Sequence, residues 1–114
     1  MTLTIWHNPR CTKSRQALDL MRCRGVEPEI VEYLKKPPSR AELRRVIELL
    51  GVKPRELMRK GESAYRERGL ADVKSDEELI EAMAHDPILI ERPVIIGDNR
   101  AVIGRPAEKL LELV

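Results

Sequence analysis

Residues 3–15 of the chain, LTIWHNPRCTKSR, contain a strand signal, a turn signal and the beginning of a helix in immediate succession. The apolar run Leu3–Trp6 favours a strand, and Asn8-Pro9 then marks a turn. From Lys13 onward the apolar positions recur at helical spacing. Cys11 therefore lies where a first strand has ended and a first helix begins.

The residues that follow complete a strand–helix–strand unit. The helix is expected from about Lys13 to Arg24, and Gly25 suits its C-terminal end. Glu29–Leu34, with the sequence EIVEYL, predicts a second strand. Such a unit implies two parallel strands joined by a right-handed crossover.

The rest of the chain predicts several helices, a hairpin and a last helix. Capping boxes at Ser39/Glu42 and Ser75/Glu78 begin two of the helices, and shorter ones are expected at 54–60 and 62–68. A turn at 97–100 joins strands 93–96 and 101–103, and the final helix covers 107–114. This order favours a thioredoxin-like α/β fold, a mixed four-stranded sheet with inserted helices, over a generic α/β sandwich.

The composition predicts one domain, residues 1–114, with a single core. Hydrophobic residues make up 42% and charged residues 35%, and the net charge of +2 does not predict nucleic-acid binding through bulk charge. No apolar run approaches the roughly 20 residues of a membrane span, and no secretory signal is visible. With only two cysteines, we expect a cytoplasmic protein without disulfides, and a monomer.

Cys11 has the surroundings of a reactive thiol. A helix N-terminus offers free N–H groups and partial positive charge, which favour the thiolate and can also hold an oxyanion. His7, Arg10, Lys13 and Arg15 act in the same direction if they face the sulfur. The alternative is a buried structural cysteine, since cysteine is among the most buried residue types.

Spacing excludes three familiar cysteine sites. A C-x-x-C dithiol needs a second cysteine where the chain has Ser14, although this serine could donate a hydrogen bond to the thiolate. A C-x5-R phosphatase loop needs an arginine where the chain has Ala17. A zinc site needs clustered ligands, and the chain has only two histidines and two cysteines in all.

Cys23 does not supply the missing partner. It lies twelve residues farther along the same predicted helix, or about 18 Å from Cys11 at about 1.5 Å per residue. A disulfide needs Cα atoms within about 7 Å. A basic pocket around one unpaired thiol thus predicts an anionic substrate and a covalent intermediate that an external thiol resolves.

The stretch H7-N-P-R-C-T-K-S-R15 resembles the cysteine loop of the glutaredoxin-dependent arsenate reductase family, the ArsC type, and especially its short YfgD-like branch. Further similar blocks are GVEPEIVEYL at 25–34, ELMRK at 56–60, PILIERPVII at 87–96 and IGRP at 103–106. The resemblance covers essentially the whole chain.

The resemblance implies a role for particular residues. The nucleophilic cysteine of the family corresponds to Cys11. Its anion-binding arginines correspond to Arg59, Arg92 and Arg105, and arginine can hold an oxyanion through paired N–H donors.

The resemblance also implies the groups around the nucleophile. The histidine and serine that activate the thiolate correspond to His7 and Ser14. The cis proline of the fold corresponds to Pro93, an X-Pro position where cis bonds do occur.

The implied reaction is reduction of arsenate to arsenite through a covalent Cys11–arsenic intermediate. Glutathione is then a co-substrate and glutaredoxin the protein partner, and no bound cofactor or metal is required. One alternative is a glutathione-dependent thiol oxidoreductase acting on another substrate. A second is a non-catalytic Spx-like regulator of RNA polymerase, although Ser14 removes the C-x-x-C switch of such proteins.

Overall fold

A computed structural model describes residues 3–113. The strands are β1 (Thr4–Trp6), β2 (Glu29–Val31), β3 (Val94–Ile96) and β4 (Ala101–Ile103). The α-helices are α1 (Thr12–Cys23), α2 (Arg40–Leu50), α3 (Ser63–Glu67) and α4 (Asp76–His85). Short 3-10 helices span Pro54–Leu57, Leu70–Asp72, Pro87–Leu89 and Ala107–Glu112.

The strands form one mixed sheet in the order β2-β1-β3-β4. β1 is parallel to β2, with Ile5 opposite Ile30, and antiparallel to β3, with Ile5 opposite Ile95. β4 returns antiparallel to β3, with Val102 opposite Ile95. The predicted thioredoxin-like α/β class is confirmed.

The residues fall into two compact units along the chain. The first consists of the described residues up to Lys36 together with those from Arg92 onward, and it contains the whole sheet. The second consists of Pro37–Glu91 and is helical. The organisation of residues 1–114 as one domain stays a prediction.

The core of the first unit lies between the sheet and two helical segments, α1 and Ala107–Glu112. Strand residues alternate between the two faces of a sheet, so that every second side chain meets the apolar stripe of α1. The buried residues of this cluster are Leu3, Ile5, Ala17, Leu18, Met21, Ile95, Val102, Leu110 and Leu113.

In the second unit, α2 packs on α4. The predicted capping box of α2 is confirmed: Ser39 Oγ accepts from the Glu42 N–H at 3.1 Å, and the Glu42 carboxylate accepts from the Ser39 N–H at 3.2 Å. Gly51 ends this helix with φ 69°, a conformation that favours glycine. At α4, Ser75 Oγ accepts from the Glu78 N–H at 3.4 Å.

Three elements are shorter or tighter than predicted. The second strand ends at Val31 because the Glu32 carbonyl turns to accept from the N–H groups of Lys35 and Lys36. The helix expected at 54–60 ends at Leu57, and the following residue is in extended conformation and bridges to a residue of the 87–91 segment. The last predicted helix is a 3-10 helix at 107–112, and residue 114 lies outside the described residues.

Within residues 3–113, no helix combines the length and the apolar character that crossing a lipid bilayer requires.

Candidate active site

Cys11 occupies the N-cap position of α1, at the end of the turn that follows β1. Its backbone is extended (φ −95°, ψ 120°), its N–H donates to the Asn8 carbonyl at 3.0 Å, and its carbonyl accepts from the Arg15 N–H at 3.0 Å. The residue is 8% exposed. The predicted position between strand and helix is confirmed, and it places the sulfur at the free N–H groups of the first turn.

The surroundings of the sulfur favour its ionised form. Burial raises the pKa of the Cys11 thiol, but the backbone N–H of Ser14, the Arg92 guanidinium and the backbone N–H of Lys13 together lower it below its ordinary value. The first turn of α1 contains no acidic side chain that would oppose them. A lowered pKa makes the thiolate, which is the nucleophilic form of cysteine, easier to form at Cys11.

Two arginines from the other end of the first unit reach the sulfur. The Arg92 side chain hydrogen-bonds to it, and Nη2 of Arg105 lies 4.0 Å from it. Arg105 Nε also donates to the Arg92 carbonyl at 2.7 Å, which ties the two residues together. Guanidinium groups are suited to hold an oxyanion through paired N–H donors, so the arrangement is consistent with the predicted role of these two arginines.

Close packing behind these arginines brings their backbones together. Gly104 donates its N–H to the Pro93 carbonyl at 2.9 Å. A Cβ on Gly104 would lie 2.8 Å from Cδ1 of Ile95 and 3.0 Å from Cγ of Pro93, so only glycine fits without a shift. The Arg92–Pro93 bond is cis, and so is the Arg105–Pro106 bond.

His7 and Ser14 form a buried pair beside the thiolate loop. His7 Nδ1 lies 2.6 Å from Ser14 Oγ, which also accepts from the Asn8 N–H at 3.1 Å. Burial lowers the pKa of His7, although Glu32 opposes this effect, so the neutral imidazole is favoured. Ser14 acts on the sulfur through its backbone N–H, whereas its hydroxyl bonds to His7 and Asn8.

Asn8 shapes the loop, and it was not among the residues predicted for the site. Its Oδ1 accepts from the Arg10 N–H at 3.0 Å, an Asx turn, while its carbonyl accepts from Cys11. In the sequence, the dipeptide Asn8-Pro9 marks the turn and was the signal that could have pointed to this role of Asn8. Arg15 also serves the loop, since its guanidinium donates to the Pro9 carbonyl at 2.8 Å.

Arg59 belongs to the second unit. Its Nη1 lies 2.6 Å from Glu62 Oε1, its Nε lies 3.9 Å from Glu91 Oε1, and its N–H donates to the Leu89 carbonyl at 2.7 Å. The structure brings together the five predicted catalytic and substrate-binding residues of the first unit, which are Cys11, His7, Ser14, Arg92 and Arg105. The role of Arg59 in the site stays a prediction.

The second cysteine is at the opposite end of α1. Cys23 is the last residue of that helix and is an exposed free thiol. In residues 3–113, no cluster of three or more histidine, cysteine, aspartate or glutamate side chains is arranged to hold a metal ion.

Known proteins resemble this chain over its whole length. The protein YfgD of Escherichia coli (strain K12) is 50% identical over 112 residues, covering 96% of this chain and 94% of that protein. A protein named arsenate reductase from Rhizobium meliloti (strain 1021) is 45% identical, covering 100% of this chain and 82% of the relative.

A solved structure has the same fold. The structure described as arsenate reductase from Vibrio cholerae superposes with a TM-score of 0.97 at 42% identity, covering 100% of this chain and 98% of that one. The model of the ArsC family matches residues 6–113. The chain, with its site residues Cys11, Arg92 and Arg105 all inside that match, belongs to the ArsC family.

Proposed function

We propose that this protein reduces arsenate to arsenite, with glutathione as co-substrate and glutaredoxin as the protein that completes the reduction. One observation carries the proposal: the Cys11 thiolate is stabilised at the N-terminus of α1 while two guanidinium groups lie against it. That arrangement suits a nucleophile that must attack a negatively charged centre. Family membership and relatives named arsenate reductase support the choice of oxyanion.

The first step is nucleophilic attack. Arg92 and Arg105 hold the arsenate oxygens, and the Cys11 thiolate attacks arsenic. A sulfur–arsenic bond forms, and one arsenate hydroxyl is protonated and leaves as water. The guanidinium groups offset the negative charge of the anion, which would otherwise repel the thiolate.

Two external thiols then supply the electrons. The glutathione thiol displaces a second hydroxyl as water, so that arsenic(V) is bonded to both Cys11 and glutathione. The glutaredoxin thiolate attacks the glutathione sulfur, and the sulfur–arsenic electron pair stays on arsenic, which becomes arsenic(III). Hydrolysis of the remaining bond releases arsenite and restores the Cys11 thiol. Thiols carry the electrons, so this protein needs no bound cofactor or metal.

In this proposal the buried pair His7 and Ser14 keeps the loop in the geometry that activates the thiolate. Ser14 contributes a backbone N–H to the sulfur, and His7 holds the Ser14 side chain. Arg59 is the third arginine proposed for arsenate, and its guanidinium group forms ion pairs with Glu62 and Glu91.

The test is a coupled assay with arsenate, glutathione, glutaredoxin, glutathione reductase and NADPH. Arsenate-dependent loss of NADPH is expected for the native protein and for Cys23→Ser, which controls for removal of a thiol. Cys11→Ser should abolish it. An active Cys11→Ser variant, or a native protein without arsenate-dependent turnover, would overturn the proposal.

A second function is consistent with the same site, because the two cysteines occupy opposite ends of a twelve-residue helix and Cys11 has no disulfide partner there. A lone thiolate without a local partner could also take glutathione from protein mixed disulfides. Glutathione release from a glutathionylated protein, without any arsenate effect, would identify this activity.

A further inference from the structure

A groove lies beside the nucleophile loop within the first unit. It has a volume of about 240 Å³, with residues 7–10 along one side and Glu32, Leu34 and Lys35, which follow β2, along the other. The first side adjoins the nucleophile, because the Cα atoms of Arg10 and Cys11 are about 3.8 Å apart across one peptide bond. The steps proposed above give this groove no task.

The groove contains two cations, one anion and an apolar strip. Arg10 and Lys35 are exposed, and Lys35 Nζ lies 3.5 Å from Glu32 Oε1. The Lys35 side chain is 78% exposed, so this surface ion pair is weak and leaves ammonium donors open to a ligand. Pro9 and the 40% exposed Leu34 provide the apolar contacts.

We propose that this groove binds glutathione, with Arg10 and Lys35 facing its two carboxylates and Glu32 facing its ammonium group. The proposal rests on the proposed function, which makes glutathione the co-substrate. The charges match in number and sign: two cations and one anion on the protein meet two anions and one cation on the tripeptide.

Two features favour glutathione over other occupants. Glu32 would repel a simple oxyanion, but it attracts the ammonium group of a zwitterionic peptide. An extended tripeptide spans about 10 Å, so its thiol can reach Cys11 from a groove that begins at Arg10.

Binding can be measured without arsenate and without covalent chemistry. S-Methylglutathione has both carboxylates and the ammonium group, but its blocked sulfur cannot react with Cys11. Titrated into the full chain, it should shift the backbone amide signals of Arg10, Leu34 and Lys35 saturably, while those of the 97–100 turn stay in place. Absent or non-saturating shifts, or shifts centred elsewhere, would overturn the proposal.

Charge reversals test the two cations. Arg10→Glu and Lys35→Glu should each weaken S-methylglutathione binding about three- to tenfold, the effect expected for partly exposed ionic contacts. Arg45→Glu makes the same change in net charge at an exposed position of α2 and should leave binding unchanged. Equal weakening by Arg45→Glu would overturn the groove as a specific site.

A second probe separates glutathione from anions in general. Inorganic phosphate should not displace S-methylglutathione at equal concentration. If phosphate competes equally and shifts the same amides, the groove is a general anion site and the proposal fails.

The arsenate assay distinguishes this proposal from the proposed function. Lys35→Glu should raise the KM for glutathione about three- to tenfold. If the native protein reduces arsenate but this KM does not change, the groove proposal alone is overturned. If the native protein has no arsenate turnover but S-methylglutathione binds saturably at the groove, the groove stands and the proposed function falls.

Discussion

At the scale of single residues, two distant parts of the sequence stabilise the sulfur of Cys11. The N–H groups of Lys13 and Ser14 belong to its own helix, whereas Arg92 lies two residues before β3. Arg15, a cation close to Cys11 in the sequence, instead donates its hydrogen bonds to the Pro9 carbonyl and the Thr12 hydroxyl. The positive charge that acts on the thiolate is therefore supplied chiefly by tertiary structure.

Arg92→Met should raise the pKa of Cys11, because it removes both a hydrogen bond to the thiolate and a nearby positive charge. Alkylation by iodoacetamide, followed as a function of pH, should then need a more alkaline solution to reach its half-maximal rate. Arg45→Met removes an arginine from α2 as a control. An unchanged alkylation midpoint in Arg92→Met would contradict this account of the site.

Gly104→Ala should destabilise the protein by about 1–3 kcal/mol, the usual cost of overpacking a core. The added methyl group would lie 2.8 Å from buried Ile95 and 3.0 Å from Pro93. Gly61→Ala is the matched control, since its Cβ meets no atom within 4 Å. Urea unfolding of both variants measures the difference, and equal stabilities would show that the chain near Gly104 yields freely.

Residues close in sequence to Cys11 could be predicted as site residues, because a helix N-terminus gathers its own first turn. The approach of Arg92 and Arg105 could not be worked out from spacing, and only the family resemblance pointed to them. The sequence also offered no sign of the structural role of the half-buried Arg55. Arg55 donates to the Tyr65 hydroxyl and the Leu70 carbonyl, yet its sequence context resembles that of solvated arginines.

At the scale of elements, α1 and α4 differ in how they use their positive ends. The first turn of α4 contains Asp76, Glu77 and Glu78, which compensate the helix dipole, whereas the first turn of α1 contains no acid. Without an acidic residue in its first turn, α1 is less stable than it could be. The positive end of the helix dipole is then not compensated by an acidic side chain, so it can act on the thiolate and on an anionic substrate.

Lys13→Glu should therefore stabilise α1 and weaken the nucleophile at the same time. An acid in the first turn adds about 0.3–1 kcal/mol to helix stability, but its charge raises the pKa of Cys11. Urea unfolding measures the first effect and the pH dependence of alkylation the second. Lys13→Gln separates loss of the cation from gain of the anion, and faster alkylation of Lys13→Glu at neutral pH would contradict the prediction.

Most elements could be predicted because their ends carry local signals. Ser39 with Glu42 and the glycines at 51 and 69, both with positive φ, mark helix ends that depend on nearby residues alone. The 54–57 helix ends where Met58 bridges to Ile90, a distant partner, and β2 ends at a turn that its periodicity does not mark. Periodicity therefore located both elements but overestimated their extent.

At the scale of the whole molecule, two buried groups couple stability to pH in the same direction. Burial lowers the pKa of His7, so below its ordinary pKa of about 6.5 the unfolded chain takes up a proton that the folded protein resists. The lowered pKa of Cys11 acts between its folded value and its ordinary value of about 8.5. In both cases the stabilising contribution is lost as the pH falls.

The difference in free energy of unfolding between the native protein and Cys11→Ser should grow as the pH rises through the folded pKa of Cys11. It should become constant above about pH 8.5, where the thiol is ionised in both states. Urea unfolding between pH 5 and 9.5 measures it, with Cys23→Ser as the control for loss of a thiol. A difference that shrinks with rising pH would contradict the sign.

The sheet class could be predicted from the order of elements, since a strand–helix–strand unit and a later hairpin permit few arrangements. The division into two units could not be predicted as readily. Pro37-Pro38 lies at the first boundary, but no comparable signal marks the step from Glu91 to Arg92. There the chain continues without a linker into the segment that completes the site.

The contact between Cys11 and Arg105 joins residues 94 positions apart. On the ribosome, at about 5–20 residues per second, the nucleophile is synthesised about 5 to 20 s before the last arginine that completes its pocket. The nascent chain thus carries a thiol without either guanidinium group. The part of the lowered Cys11 pKa that Arg92 contributes is therefore absent until the segment that contains Arg92 and β3 has joined the sheet.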